Sequence, residues 1–462
     1  MGSLDYILNP KSIAVVGATD KPNSVGEGIL NNLMDGGMYK TEHCKGFKGN
    51  IYPVNPKHKN IFGLPCYASV KDISGKVDLA VIAVPAKFVH DVVKDCVAKK
   101  IPGAVIISAG FAEMGNGKLQ REVVETANKG GMRIIGPNCL GLMRTKNNLN
   151  ASFAPSMPPK GEIAFISQSG AIIDSVIDWA LDENIGFSTV ISYGNRADLD
   201  LHDFLLWLDK DKETKAIAIY LEGLDDGRKF MEVAKKVNLR KPIIILKGGR
   251  TSSGAKAIGS HTGSIAGSYE VYMAAFRQSG ITVARTIQEL LDYSKALSKL
   301  NPPASNKVVI VTNAGGCGVL CADLCSERGV NISELSQKTI KALDDSGKMH
   351  PAYSRGNPLD IIGDALPERY EAAIDNLCEN NAFGGMIVIQ TLQTTTDSLG
   401  NAKVISKLAK KYPQKPIIST FLGGRFTKEG FEHLEKNGNV VFRDLERTVK
   451  VMKALIERGK VK

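Results

Sequence analysis

Short β-branched runs alternate with amphipathic helical stretches along the whole chain, a pattern that predicts parallel sheets with helices on both faces. The first block holds five candidate strands, "SIAVVGA", "GNIYPVNP", "DLAVIAVP", "AVIISAG" and "RIIGPN", each running into Gly, Pro or Ala where the chain leaves the sheet. Helical periods such as "AKFVHDVVKDCVAKK" lie between them. Proline-rich stretches at 151–161 ("ASFAPSMPPKG") and 299–307 ("KLNPPASNK") mark two boundaries. The expected organisation is three doubly wound α/β domains, over 1–150, 151–302 and 303–462.

The second and third blocks repeat one plan. "EIAFISQSGAIIDSVIDWA" corresponds to "KVVIVTNAGGCGVLCADLC", "GNRADLDL" to "GNPLDII", and "KAIAIYLEG" to "GGMIVIQTL". "KPIIILKGGR" then matches "KPIISTFLGGR", and "ITVARTIQELLDYSKAL" matches "NVVFRDLERTVKVMKAL". Five landmarks in one order indicate a duplicated domain. Before the last landmark the first copy carries "TSSGAKAIGSHTGSIAGSYEVYMAAFRQSG", where the second has only "FTKEGFEHLEKNG". The stretch "GSHTGSIAG" at 259–267 sets His261 among small residues, and it is an insertion in a scaffold that is complete without it. Loops added to a finished scaffold are where sites are placed.

Composition narrows the class. The 462 residues are 43% apolar and 23% charged, ordinary for a globular protein with a real core. No apolar run is long enough to span a bilayer and no N-terminal leader pattern is present, so neither a membrane protein nor a secreted one is expected. Tyr6 stands where a myristoylation signal needs Ser or Thr. Eight cysteines in so long a chain read as reduced thiols of a cytosol. The formal charge of +11 comes from scattered lysines, as in "DVVKDCVAKK", with no interleaved aromatic residues to stack bases. No nucleic-acid partner is expected, while a basic surface suits polyanionic small molecules and acidic partner subunits.

The chemistry lies at the strand ends. "VVGATDKPNSVGEGI" follows the first strand and opens a helix, so its N–H groups and the helix dipole can hold a phosphate. Gly17 and Gly26 are too far apart for GxGxxG. The second strand ends in "YPVNPK", which puts Lys57 where a dinucleotide fold sets an acidic residue against a ribose diol. A lysine there favours a phosphorylated ribose, as in NADP or coenzyme A, over NAD. "AVPA" (83–86), "ISAGFAE" (107–113) and "GPNCLG" (136–141) lie at the other strand ends, where a ligand crosses a doubly wound sheet. "ISQSGA" (166–171) offers two hydroxyls, an amide and first-turn N–H groups as an anion seat, a combination that also serves as an ordinary N-cap. Glu222 ends "AIAIYLE", where it either meets solvent or accepts a proton from a histidine ring and fixes its tautomer. An imidazole held in that way can attack a phosphoryl group.

Other signals are weaker. Cys317, Cys321 and Cys325 are four apart and stripe one helix face as core thiols. His43, Cys44, His58 and Cys66 have no metal-binding register, and His202 belongs to a helical segment, so no metal is expected. No GxxxxGK[ST] occurs, so no P-loop is present.

Together these residues resemble the α subunits of ADP-forming acetyl-CoA synthetases, the NDP-forming acyl-CoA synthetases related to succinyl-CoA synthetase. "GSHTGSIAG" is similar to the family's phosphohistidine segment, and "SIAVVGA", "YPVNPK", "GPNCLG", "ISQSGA" and "TNAGGCGVL" agree with it in order. The resemblance implies an N-terminal Rossmann-like CoA-binding domain, a flavodoxin-like domain with the phosphohistidine loop, and a second flavodoxin-like copy without it. It implies a cytoplasmic acid–thiol ligase of archaeal type that makes ATP by substrate-level phosphorylation: acyl-CoA + phosphate + ADP ⇌ acid + CoA + ATP. By the same resemblance His261 carries the phosphoryl group and Glu222 supports it. Phosphate would be held by Ser167, Gln168, Ser169, Gly170, Asn195, Ser260, Thr262 and Gly263. Coenzyme A would meet Gly17, Ala18, Thr19, Ser24, Val25 and Gly26, then Asn55 and Lys57. Its remaining contacts would be Val84 with Pro85, the run Ser108, Ala109, Gly110 and Phe111, and Asn138 with Cys139. Family members bind ADP or ATP with Mg on an ATP-grasp chain, which implies a separate β subunit in a heterotetramer of two α and two β chains. Two departures are the insertion "MYKTEHCK" (38–45) and Cys317 where proline is commoner. Two other readings remain: a succinyl-CoA synthetase-like α subunit, whose family lacks a third domain like 305–462, and a CoA-sensing protein with an unused histidine.

Overall fold

The computed structural model describes residues 2–262, 268–379 and 383–461, with residues 3 and 259–262 as backbone alone. The chain forms two compact units, Met1–Leu290 and Leu291–Lys462. In the first unit, β1 (Ser12–Val16), β2 (Asn50–Val54), β3 (Leu79–Ile82), β4 (Gly103–Ile106) and β5 (Arg133–Ile135) are the five strands expected from sequence. They pair in the order β2-β1-β3-β4-β5, all parallel. Their apolar runs are buried almost throughout, as a sheet covered on both faces requires. Strand order reverses between β2 and β3, on either side of β1, which opens a crevice at the carboxyl ends.

The second sheet of this unit takes seven strands: β6 (Gly141–Arg144), β7 (Leu149–Ser152), β8 (Lys160–Ser167), β9 (Phe187–Ser192), β10 (Ala216–Leu221), β11 (Ile243–Lys247) and β12 (Thr282–Ala284). Their order is β12-β11-β10-β8-β9-β6-β7, with β6 antiparallel to both β9 and β7. The β6–β7 hairpin was not legible in the sequence. Its strands are four residues each and wholly buried, too short for an alternating pattern to show. The hairpin also anchors the fold electrostatically. The buried Arg144 makes paired hydrogen bonds to Asp211 at 2.7 and 3.2 Å and reaches Thr189 and Asn9 as well.

The second unit holds β13 (Lys307–Thr312), β14 (Asn331–Ile332), β15 (Leu359–Asp360), β16 (Gly385–Gln390), β17 (Ile417–Phe421) and β18 (Val440–Phe442). They pair as β14-β13-β16-β17-β18, with β15 also on β13. The parallel part of the preceding sheet runs β9-β8-β10-β11-β12, so the two copies share one strand order. The duplication extends to side chains. Ser167 Oγ donates to the Ser169 carbonyl at 2.7 Å and accepts from the Ser169 N–H at 3.1 Å; Thr312 Oγ1 does the same with Ala314 at 3.0 and 3.1 Å.

Candidate active site

Turns that follow β3, β4, β5, β7 and β8 line a cavity of about 640 Å³ in the first unit. Of the residues expected at coenzyme A, it brings together Val25, Val84, Pro85, Ser108, Ala109, Asn138 and Cys139. Ser108 donates its hydroxyl to the Val84 carbonyl and so ties two of these turns to each other. The Cys139 thiol donates to the Ile106 carbonyl, and burial pushes its pKa up to about 12, so it is a neutral wall group rather than a nucleophile.

The loop after β1 is shaped by close approach. Gly17 sits at φ +94°, and a Cβ on Gly26 would strike the Gly17 carbonyl, so only glycine lets the loop lie on the helix Val25–Asp35. Ser24 caps that helix, accepting from the Glu27 N–H at 3.4 Å, and Thr19 Oγ1 accepts from the Lys21 N–H at 3.2 Å. Asn55 joins the β1 and β2 loops, donating to the Ala18 carbonyl at 2.8 Å and accepting from the Lys57 N–H at 3.0 Å. The Lys57 side chain is exposed and is not among the cavity-lining residues.

Four of the expected site residues are engaged within the fold itself. Phe111 is fully buried in the core, and the N–H groups of Gly110 and Phe111 both donate to Glu113 Oε1, at 2.6 and 3.1 Å, so these donors are occupied. Asn195 spends its amide on Glu113 and Gln120 and accepts from Asn138 at 3.3 Å, which makes it a strut between turns. The buried Ser167 uses its hydroxyl to build the turn described above.

At the cavity floor Ser169 caps the helix Gly170–Asp182, accepting from the Ile172 N–H at 3.4 Å. The N–H groups of Gly170 and Ala171 are first-turn donors without intrahelical partners, a seat for an anion. Gln168 also lines the cavity, and its Oε1 accepts from the N–H groups of Glu222 and Gly223. The turn after β10 thereby hangs from the anion seat.

Glu222 is 7% exposed at the end of β10, where the Tyr220 hydroxyl hydrogen-bonds to it. Burial, and then the Glu222 charge, push the Tyr220 pKa up to about 12. Three further groups hold the turn. Lys247 Nζ donates to the carbonyls of Glu222 at 2.8 Å and Gly248 at 2.6 Å. Arg196 donates to the Gly223 carbonyl and, at 2.9 Å, to Asp225. The Tyr272 hydroxyl accepts from the Leu224 N–H at 3.0 Å, and the Lys247 ammonium lies 4.6 Å from that ring's centroid. Burial lowers the Lys247 pKa to about 8, with the Glu222 charge opposing the shift. Sequence reasoning missed Gln168 as a clamp and missed Lys247, Arg196 and Tyr272 altogether. A signal existed for Lys247, which ends the buried strand "IIILK" just as Glu222 ends "AIAIYLE".

The histidine segment was expected as a loop, but Ser252–Thr262 is helical and places His261 near its C-terminal end. Alanine and lysine favour the helix, and Thr251 supports its start by accepting from the Gly254 N–H at 3.2 Å. Ile258 is 8% exposed and packs on Gly249. Gly263 and the side chains of Ser260, His261 and Thr262 lie outside the described residues. All eight cysteines are free thiols. Among the described residues no cluster of metal-ligating side chains occurs, and no helix is long and apolar enough to cross a membrane.

Comparison with known proteins matches three domain families along the chain. Residues 11–145 match a CoA binding domain, 160–297 a succinyl-CoA ligase like flavodoxin domain, and 308–458 a ligase-CoA domain. The α subunit of acetate–CoA ligase [ADP-forming] II from Pyrococcus furiosus is 42% identical, over 99% of this chain and 98% of its own length. The chain belongs to this ADP-forming acetate–CoA ligase family. Acetate–CoA ligase [ADP-forming] I of Archaeoglobus fulgidus is also 42% identical, but the chain spans only 64% of its length. The solved structure of Ca. Korarchaeum cryptofilum dinucleotide forming acetyl-coenzyme A synthetase 1, in complex with phosphate and ADP, matches with a TM-score of 0.93. That family member is 39% identical, over all of this chain and 98% of its own.

Proposed function

We propose that the chain is the α subunit of an ADP-forming acyl-CoA ligase that interconverts acyl-CoA, phosphate and ADP with acid, CoA and ATP. The observation that carries this reading is the Gln168 bridge, which hangs the Glu222 turn from a helix N-terminus at the floor of the cavity. Acyl-CoA lies along the turns after β3 to β5. Phosphate rests on the N–H groups of Gly170 and Ala171, and one of its oxygens attacks the thioester carbonyl. The C–S bond breaks, CoA leaves as thiolate, and an acyl phosphate remains. A ring nitrogen of His261 then attacks phosphorus and releases the carboxylate. Glu222 accepts the ring's other N–H and stabilises the imidazolium that forms. The phosphohistidine passes its phosphoryl group to ADP with Mg on a separate ATP-grasp β subunit, in a heterotetramer of two α and two β chains in the cytoplasm. Lys57, exposed beside the Asn55 turn, meets a phosphate of CoA.

Acyl-CoA and radiolabelled phosphate, given to the chain without its partner, should leave an acid-labile, alkali-stable label on His261. His261→Ala should abolish it, and ATP should form only when the β chain is added. Label on another residue would refute the assignment, and ATP from the isolated chain would refute the divided site. Binding of acyl-CoA with no labelling at all would favour the CoA-sensing alternative.

A further inference from the structure

The cavity wall that follows the anion seat is apolar apart from one group. Val25, Leu140, Phe153 and Ala171 line it together with Asp174, which stands one turn along the helix from Gly170 on the same face. Apart from the neutral Cys139 thiol, Asp174 is the one ionisable side chain among the described lining residues. Its Oδ1 is shut off from solvent and has no hydrogen-bond partner among the described residues. Burial alone lifts its pKa to about 6, still low enough for ionisation at neutral pH. A carboxylate in an apolar wall is costly to the fold, and a hydrogen-bond donor on a ligand in the cavity would offset part of that cost.

We propose that Asp174 reads the acyl group: the site takes a short carboxylic acid whose chain carries a hydrogen-bond donor such as a hydroxyl, and it turns away a second carboxylate. The inference rests on the acyl-CoA reading above. The thioester carbonyl must lie at the helix N-terminus to meet phosphate, and Asp174 stands four residues, about 6 Å, further along the helix. A chain of about three or four carbons covers that distance, and the apolar side chains pack on its methylenes. A hydroxyl at the far end donates to the Asp174 carboxylate. A dicarboxylic acyl group would instead place two negative charges together in a partly desolvated space.

The test uses the full chain and calorimetric binding of CoA, propionyl-CoA, butyryl-CoA, 3-hydroxypropionyl-CoA, 4-hydroxybutyryl-CoA and succinyl-CoA. One of the hydroxyacyl thioesters should bind at least about 10-fold tighter than its alkyl counterpart, with succinyl-CoA the weakest. Asp174→Leu should bring the hydroxyacyl-to-alkyl ratio to within about 2-fold while leaving free CoA unchanged. Asp174→Asn keeps an acceptor of the same shape and guards against a folding defect in the leucine variant. It should retain part of the hydroxyl preference and relax the rejection of succinyl-CoA. If CoA binds but neither variant changes the ratios, Asp174 does not read the acyl group, although the ligase reading stands. If neither CoA nor any thioester binds, both readings fall together.

Discussion

The Gln168 bridge gives the most direct test of how Glu222 is held. Gln168→Leu keeps the bulk of the side chain but leaves the N–H groups of Glu222 and Gly223 without their acceptor. Two unpaired donors cost about 1–3 kcal/mol each, or about 2–6 kcal/mol on one turn. The turn stays attached, because Lys247, Arg196 and Tyr272 still hold the carbonyls of Glu222 and Gly223, the Asp225 carboxylate and the Leu224 N–H. It relieves the strain by tilting those N–H groups toward water in the cavity, which carries the Glu222 carboxylate with them. A displacement of about 1 Å at a reacting centre typically lowers the rate about 10²-fold.

Gln168→Glu is the companion variant. It preserves an oxygen acceptor for both N–H groups but adds a negative charge beside the anion seat. Rapid-quench labelling of His261 from acyl-CoA and phosphate should therefore separate the two. The leucine variant should lose rate at saturating phosphate with KM little changed, and the glutamate variant should mainly raise the KM for phosphate. CoA affinity, read by calorimetry, should stay near wild type in both. An unchanged rate in Gln168→Leu, or a parallel loss of CoA affinity, would show that the bridge does not position Glu222.

Three further outcomes follow from the same residues. The folded-state pKa of Lys247 is lowered from 10.5 to about 8, so the unfolded chain binds the extra proton between those values and stability should rise with pH across that window. Relative to Lys247→Met, the wild type should gain about 1–3 kcal/mol between pH 7 and pH 10 in urea unfolding followed by the fluorescence of Trp179 and Trp207, both in the first unit; a constant difference would exclude a buried cation. Glu222→Thr combined with Lys247→Phe should fold with a urea midpoint at or above wild type and label His261 at least about 10²-fold more slowly, and a collapse of the fold would contradict the correspondence of the two copies. Lys57→Ala should weaken CoA by about 1–3 kcal/mol and abolish discrimination against dephospho-CoA, whereas a variant that still discriminates would place the 3′-phosphate elsewhere.

Much of the fold was legible because its strands are buried on both faces. "SIAVV", "LAVI" and "GAVI" are continuous apolar runs that few other structures tolerate, and the five matched landmarks exposed the duplication. The β6–β7 hairpin escaped because "GLMR" and "LNAS" are short, and one of them contains an arginine whose burial depends on Asp211, far away in sequence. At the site, residue types at strand ends pointed to Glu222, Gln168 and the cavity turns. Hydrogen-bond partners could not be read in the same way. Asn195 and Gly110 were expected to face a ligand, yet Glu113 occupies both, and only the folded chain brings that carboxylate to them.

The duplicated domain provides an internal control on what the fold itself needs. Ser167 pairs with Tyr220 and Thr312 with Ile389, so Glu222 in the first copy corresponds to Thr391 in the second. By the same register Lys247, paired with Leu221, corresponds to Phe421, paired with Gln390. The amide clamp survives in both copies: Asn313 accepts from the Thr391 N–H at 2.8 Å just as Gln168 accepts from that of Glu222. The scaffold therefore requires the turn and its clamp but neither charge. Holding a carboxylate and an ammonium at 7% and 5% exposure carries a desolvation cost that the copy with Thr391 and Phe421 avoids. The charged pair occurs in the copy that also carries the histidine segment, and both features are missing from the other. Folding alone gives no reason for that association, whereas the proposed uptake of a phosphoryl group by His261, with a charged ring to be supported, would give one.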